Sequence, residues 1–373
     1  MKTILVTMCA LAAGLTTANN LRAELLATVD FSTTMDMPFM RVGHTGNSDD
    51  THGNGYGAVN YAYGIGKFEV TSGQYTEFLN AVAADDTYAL YNERMGDPTH
   101  IEGDDFPFGG CNIQRSGSPG SYSYSVAAAW EDRPVNYVSW GDVARYSNWM
   151  SNGMPSGNQD LSTTEDGAYF LNGATSSSAL KTAIAARQSP VGSASFYYLP
   201  TEDEWYKAAF HKNDGDTANY YDYATDSDTQ PGAIPGSGLA DPDPGNVATY
   251  HGIAGIDGLG DPYYRTLVGE HENSASPYGT FDMAGNVGEW TGGLGFGSFA
   301  IVRAGSFPYN EAGLHAESRR IRSLTRESGD IGFRLASTAS AAAAAVPEPS
   351  GVALAILALL VLGPMGRPRR SPA

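Results

Sequence analysis

Apolar residues fall at helical spacing in three short stretches, each opened by a hydroxyl residue. After Thr71 come Tyr75, Phe78, Leu79 and Val82, and Thr71 with Gln74 makes the capping pattern that starts a helix. This predicts an amphipathic helix to about Ala83. Ser139 and Asp142 open a second helix, with Val143, Tyr146, Trp149 and Met150 on one side. Thr201 and Glu204 open a third, turning Trp205, Ala208 and Ala209 inward; such a threonine cap contributes on the order of 1 kcal/mol. Tyr61 to Val70 and Pro134 to Trp140 read as extended. Residues 28–60 read as an entry strand and loop. The stretch 85–132, with GGC at 109–111, is loop-like, and Thr163 to Tyr169 reads as a surface hairpin turn. Residues 213–260 are polar and rich in Gly, Asp and Pro, and no internal repeat is present. Periodicity alone gives an α+β class.

Composition narrows this little. In 373 residues, 45 Gly and 22 Tyr against 17% charged residues describe a folded, loop-rich chain. A net charge of −19 leaves no basic surface to replace phosphate counterions, so nucleic-acid binding is excluded. The acidic surface suits divalent cations, and equally suits plain solvation.

The ends carry addresses. Residues 1–27 read as a secretory signal: Lys2, an apolar run from Ile4 to Leu15, then small residues at Ala18, Ala23 and Ala27. Residues 28–338 form the domain and 339–345 an Ala-rich linker. Val346, Pro347, Glu348 and Pro349 then precede an apolar run, Val352 to Leu362, and Arg367, Arg369 and Arg370. That run is shorter than the roughly 20 residues of a bilayer span, while the arginines hold such a tail on the cytoplasmic side. The 346–373 segment resembles the PEP-CTERM sorting signal of Gram-negative bacteria. The resemblance implies processing by an exosortase-type enzyme, a transient anchor in the inner membrane, and final placement on the outer surface or in the extracellular matrix. The cysteines are Cys9, inside the signal, and Cys111, so the mature domain has no internal disulfide.

The chemistry centres on Tyr278–Thr291, YGTFDMAGNVGEWT. Its glycines permit a tight turn, its acids Asp282 and Glu289 supply oxygens, and Asp282 and Asn286 suit Asx turns. Together with KFEVTSGQY (67–75), RPVNYVSWGDVARYSNWM (133–150), FYYLPTEDEWYKAAF (196–210), VRAGSF (302–307) and IGFRL (331–335), it resembles the formylglycine-generating enzyme, or sulfatase-modifying factor, family over residues 40–336. The family implies a C-type-lectin-like fold with few short helices and small antiparallel sheets. It also implies two calcium sites. The first set falls on Asn246, the Val247 carbonyl, Asp261 and the Tyr263 carbonyl. The second falls on Asp282, the Gly285 and Val287 carbonyls, and Glu289. Mixed carboxylate, amide and carbonyl oxygens are the ligands a hard cation takes.

The family's reaction needs two cysteines just after the VRAGSF-like block, where they bind Cu(I) as thiolates. Here Tyr309 and Leu314 stand near those positions, so no copper and no formylglycine generation are expected. His315 and Glu317 lie close by, and an altered oxidoreductase centre around them is the rival reading. The other histidines (44, 52, 100, 211, 251 and 271) form no ligand-spaced pair with it. Arg319, Arg320, Arg322 and Arg326 make the basic cluster of this acidic domain, and buried ion pairs are their expected role. The expectation is an exported, calcium-stabilised domain that binds extracellular polysaccharide or another exported protein.

Overall fold

Thr71, Ser139 and Thr201 each cap the helix their spacing predicts. In all three the side chain accepts from the backbone N–H three residues on, and Gln74, Asp142 or Glu204 accepts or reaches back in return. The helices are α1 (Ser72–Val82), α3 (Trp140–Ser151) and α5 (Glu202–Phe210). Two more, α2 (Ala128–Glu131) and α4 (Ser177–Ala185), lie in stretches with no helical expectation. This computed structural model describes residues 35–338, apart from 36, 52–54, 103–105, 188–195, 234–242 and 252–258. The signal segment, the linker and the 346–373 tail lie outside the described residues. Among the described residues no helix is long and apolar enough to cross a membrane.

Two four-stranded sheets frame the molecule. The first joins both ends of the domain: β1 (Phe39–Val42), β2 (Tyr63–Gly66), β14 (Ala336–Thr338) and β7 (Tyr197–Tyr198), in that order and antiparallel throughout. The second runs β12 (Arg320–Ser323), β11 (Phe299–Arg303), β10 (Gly288–Leu294) and β13 (Ile331–Gly332). Its β10–β13 pair is parallel, so this second sheet is mixed, while the first is antiparallel as expected. The strand expected over 61–70 is shorter, at 63–66. The 85–132 stretch is less loop-like than expected. It holds two short hairpins, β3–β4 (Ile101–Glu102, Phe106–Pro107) and β5–β6 (Ile113–Ser116, Ser123–Val126).

Thr163–Tyr169 is not a surface turn. Thr163, Thr164, Glu165 and Tyr169 are buried, and Glu165 takes Arg145 of α3 in a two-pronged ion pair at 2.7 and 3.1 Å. A charge placed in the interior needs such a partner, and one-dimensional patterning does not show where that partner is.

Two apolar clusters make the core. One packs α1 against α3, with Phe78, Tyr146, Trp149 and Phe333 in ring contact. The other surrounds α5 and holds Trp205, Tyr206, Phe210, Tyr278, Met283 and Leu314. Strand β10 serves both. Neighbouring residues of a strand face opposite sides, so Trp290 packs in the first cluster while Glu289 accepts from Trp205 of the second.

Candidate functional site

The turn before β10 is built on left-handed backbone. Asp282 and Asn286 have φ of 59° and 55°, and Gly285 has φ of 85°. A Cβ on Gly285 would stand 2.3 Å from the Thr249 carbonyl oxygen, so glycine is required there. The turn carries its acids inward. Glu289 is fully buried, and its Oε2 accepts from Trp205 Nε1 at 2.8 Å and Arg334 Nε at 2.6 Å. Its Oε1 accepts from Arg334 Nη2 at 2.7 Å. Asp282 Oδ2 accepts from the Gly269 N–H at 2.6 Å, whereas the buried Oδ1 has no hydrogen-bond partner.

A third carboxylate completes the group. Glu69, 2% exposed, accepts from Asn286 Nδ2 at 2.7 Å and from the Val287 N–H at 3.1 Å. Burial pushes its carboxyl well above the usual range, and the charges of Asp282 and Glu289 push it further. Burial also raises Asp282, opposed by His271 and the Gly269 N–H. Arg334 is the counter-charge: burial works against its cation, but Glu289 more than offsets this and raises it. Three carboxyl groups therefore share one guanidinium in the interior, and Glu69 and Asp282 hold their protons more tightly than usual. Unpaired charge there is costly.

These residues fit a hard divalent cation. The donors are all oxygens, Asp282 Oδ1 lacks a partner, and Glu69 keeps unused lone pairs on both oxygens. Glu289 is differently placed from the other members of the predicted set, because Arg334 and Trp205 already hold it. Among the described residues no three His, Cys, Asp or Glu side chains form a metal site by themselves, so an ion here depends on amide and carbonyl oxygens as well. Glu69 and Arg334 were not marked by the sequence reading. The signal was an acid and a base inside apolar, strand-like blocks, KFEV and GFRL.

The other predicted set is placed otherwise. Asn246 Oδ1 accepts from Thr225 at 2.6 Å, and its amide donates to the Thr229 carbonyl at 3.1 Å. Val247 lies in β9 (Val247–Ala248), and its N–H donates to Ser274. Asp261 is exposed, and the Tyr263 ring lies 5.0 Å from Trp130 and beneath the Arg133 guanidinium at 4.0 Å. The Tyr263 carbonyl accepts from the Arg265 N–H at 2.5 Å. None of the described hydrogen bonds, ion pairs or ring contacts joins the 246–247 half to the 261–263 half.

Where the cysteine pair would stand, the chain is packed. Leu314 is 1% exposed, against Gly305, and the Arg320 guanidinium lies over the Tyr309 ring at 4.6 Å. Arg320 also bonds Asp330 at 2.7 Å and the Gly305 carbonyl at 3.2 Å, filling the space that Gly288 leaves without a side chain. Ser306 is buried nearby with an unpartnered hydroxyl; the sequence reading did not mark it. His315 faces Asp222 at 3.8 Å and the Tyr223 ring, and its Nδ1 accepts from the Glu317 N–H. The Glu317 side chain is exposed, and no described contact brings it to the imidazole. Arg319 bonds Glu202 at 2.8 Å, where Arg303 joins it at 2.6 Å; with Arg320 on Asp330 this is the expected ion-pair role for two of the four arginines, while Arg322 donates to the Ile321 carbonyl. Cys111 is buried and free, with burial raising its thiol.

A loop-rich α+β domain with an acid-bearing glycine turn, set between two small sheets, defines the class. The profile of the sulfatase-modifying factor enzyme 1-like domain matches residues 46–339, and the chain belongs to that family. Similar solved structures include Treponema denticola variable protein 1, at 18% identity over 82% of this chain and 96% of that one, TM-score 0.46. CarF matches at 20% identity over 81% and 99%, TM-score 0.44, and PvdO from Pseudomonas aeruginosa at 15% over 81% and 95%, TM-score 0.41. No curated protein matches.

Proposed function

We propose that this is an exported cell-surface or matrix protein whose sulfatase-modifying-factor domain is a calcium-stabilised binding module for extracellular polysaccharide or another exported protein, without formylglycine-generating chemistry. The observation that carries the reading is the packing at the thiol positions: Tyr309 and Leu314 stand there, Leu314 is buried, and Arg320 fills the adjoining space. Neither a phenol nor an isobutyl side chain can ligate Cu(I) as a thiolate. Glu69, Asp282 and the carbonyls of Gly285 and Val287 would hold the ion, with Asn286 and Arg334 fixing the carboxylates. Calcium there would take the place of the protons that Glu69 and Asp282 hold and would tie the turn to its neighbours. A second ion, at Asn246, Val247, Asp261 and Tyr263, is the expectation the family resemblance adds. Export rests on the signal at 1–27 and on Val346, Pro347, Glu348 and Pro349, which would be read by an exosortase-type enzyme.

The test is the metal content of the mature protein purified without chelator, measured for calcium, copper and iron together. Calcium at one ion per chain or more, with neither redox metal, is the expected result. Stoichiometric copper or iron would overturn the reading and favour the rival oxidoreductase centre, and His315→Ala would then abolish its activity.

A further inference from the structure

The β10–β11 hairpin carries apolar side chains outward at one corner of the second sheet. Phe296, at the turn, is 80% exposed, and Phe299 and Ile321 are 44% and 41% exposed. The three are neighbours. The Phe299 N–H donates to the Phe296 carbonyl at 3.2 Å across the turn. Ile321 stands opposite Ile301 in the β11–β12 register, with Phe299 two residues along the same face. A Cβ on Gly295 would lie 2.4 Å from Ile301 Cδ1 and 3.7 Å from Ile321 Cγ1, so both isoleucines reach over that glycine. Ile301 is fully buried there yet belongs to neither core cluster. Singly scattered apolar residues are ordinary on a surface, whereas a group sharing one face marks an interaction site.

Beside this face runs a sheet edge with positive charge. β12 ends its sheet and pairs with β11 alone, and an end strand offers its outer N–H and C=O groups to another strand. At Ser323 the edge meets Ser177 of α4 at 3.2 Å, which leaves Arg320–Arg322 as the open stretch. Arg320 is taken by Asp330 and the Gly305 carbonyl. Arg322 is not. Its guanidinium donates to the adjoining Ile321 carbonyl at 3.0 Å, and among the described residues no acid pairs with it. In a chain of net charge −19, this arginine is left for an acid from outside.

We infer that this corner takes an extended segment of a partner protein in which apolar and acidic residues alternate, added to β12 as a further strand. The inference rests on the binding-module reading and names, within it, the surface and the chemistry of the partner. Side chains along a strand alternate between faces. Apolar residues of the added strand therefore share the face of Ile321 and Phe299, and acidic ones come opposite Arg322, where an opposite-charge pair is favourable. Aromatic residues and arginine are also the types that protein interfaces favour over lysine and glutamate. A second copy fits worse, because pairing β12 with itself about Ile321 sets arginine opposite arginine. An anionic polysaccharide would use Arg322 and leave the backbone edge and Ile321 unused.

The probe is a short acetylated and amidated peptide alternating valine and glutamate, titrated calorimetrically into the mature protein. Saturable binding, weakened by salt, is the expected result. Peptides alternating valine with lysine, or serine with glutamate, should bind at least about tenfold more weakly. So should a fully N-methylated valine–glutamate peptide, which has lost its backbone donors. In the protein, Phe299→Thr with Ile321→Thr, both at exposed positions, should weaken binding about tenfold. Arg322→Glu should turn the preference toward the lysine peptide. Leu161→Ser, at an exposed position of another loop, should leave binding unchanged. The inference is overturned if the valine–glutamate peptide does not bind, if the lysine or N-methylated peptide binds as well, or if Arg322→Glu behaves like Leu161→Ser. Binding of an anionic polysaccharide without binding of the peptide would leave the module reading standing and remove this surface assignment alone.

Discussion

The Asp282–Glu289 turn and the 246–263 stretch offer the same kinds of oxygen in the sequence and reach different arrangements. In the first, donors lie within eight residues, and a left-handed turn fixed by Gly285 aims them at one another. Glu69 then joins through Asn286 and Val287, and the group keeps an unpartnered carboxylate oxygen. In the second, the donors are split between two segments. Thr225 claims the Asn246 amide oxygen, and Trp130 and Arg133 claim the Tyr263 ring. Contiguous donors are organised by local backbone; separated donors are organised only by what happens to pack between them.

The sharpest way to break the first region is to remove its counter-charge. Arg334→Met leaves Glu289 buried without its ion pair and should cost about 3–5 kcal/mol, read as a fall in denaturation midpoint at unchanged denaturant slope. An unchanged midpoint would mean that the acid group is not stabilised by Arg334.

Calcium separates the two regions directly. If the turn holds the ion, calcium at about a hundred times its dissociation constant should raise stability by about 2.7 kcal/mol. Asp282→Ala should abolish that increment, measured as the thermal midpoint with calcium minus that with chelator. Asn246→Ala should reduce it only if the split set also binds.

A third acid site tests what burial does where the nearby buried arginine, Arg145, is bonded to another acid, Glu165. Asp142 reaches back to the Ser139 N–H at 2.7 Å, and burial together with the nearby Glu327 raises its carboxyl to about 8. The ordinary value is about 4. Between those values the folded chain holds a proton that the unfolded chain releases. The stability from this site is therefore complete below about pH 4 and is lost as pH rises to about 8. The slope should reach at most about 1.4 kcal/mol per pH unit, and Asp142→Asn, which keeps an acceptor for the cap, should flatten it. A slope that survives the substitution would assign it to another group.

The smallest effect belongs to the packed segment near Leu314. His315 is partly exposed, with a long contact to Asp222, an edge contact with the Tyr223 ring and a hydrogen bond from the Glu317 N–H, so His315→Ala should change stability by less than about 1 kcal/mol. A larger loss in a melting experiment would give His315 a structural part that its contacts do not show.

Legibility followed the same division as the ligand sets. The caps at Thr71, Ser139 and Thr201 were readable because the capping pattern spans four residues. Helix α4 was not, since Leu180 and Ala183 are the only residues it buries, too few for a periodic signal. The Thr163–Tyr169 stretch misled because polar side chains suggest a surface, whereas Glu165 goes inside to meet Arg145. Of the candidate site, Asp282 and Glu289 were visible as acids in a glycine turn. Glu69, more than two hundred residues earlier, was visible only as an acid in an apolar block.

The sequence by itself determined the family, the three capped helices, the glycine turn with its acids, and the absence of a cysteine pair at the expected positions. All of these are properties of residue identity or of spacings of a few residues. The tertiary structure decided which charges meet: Arg334 with Glu289, Arg145 with Glu165, Arg319 and Arg303 with Glu202. It also left Asp282 Oδ1 without a partner. Buried charges are stabilised only by groups within a few ångströms, and neighbours at that range come from anywhere along the chain.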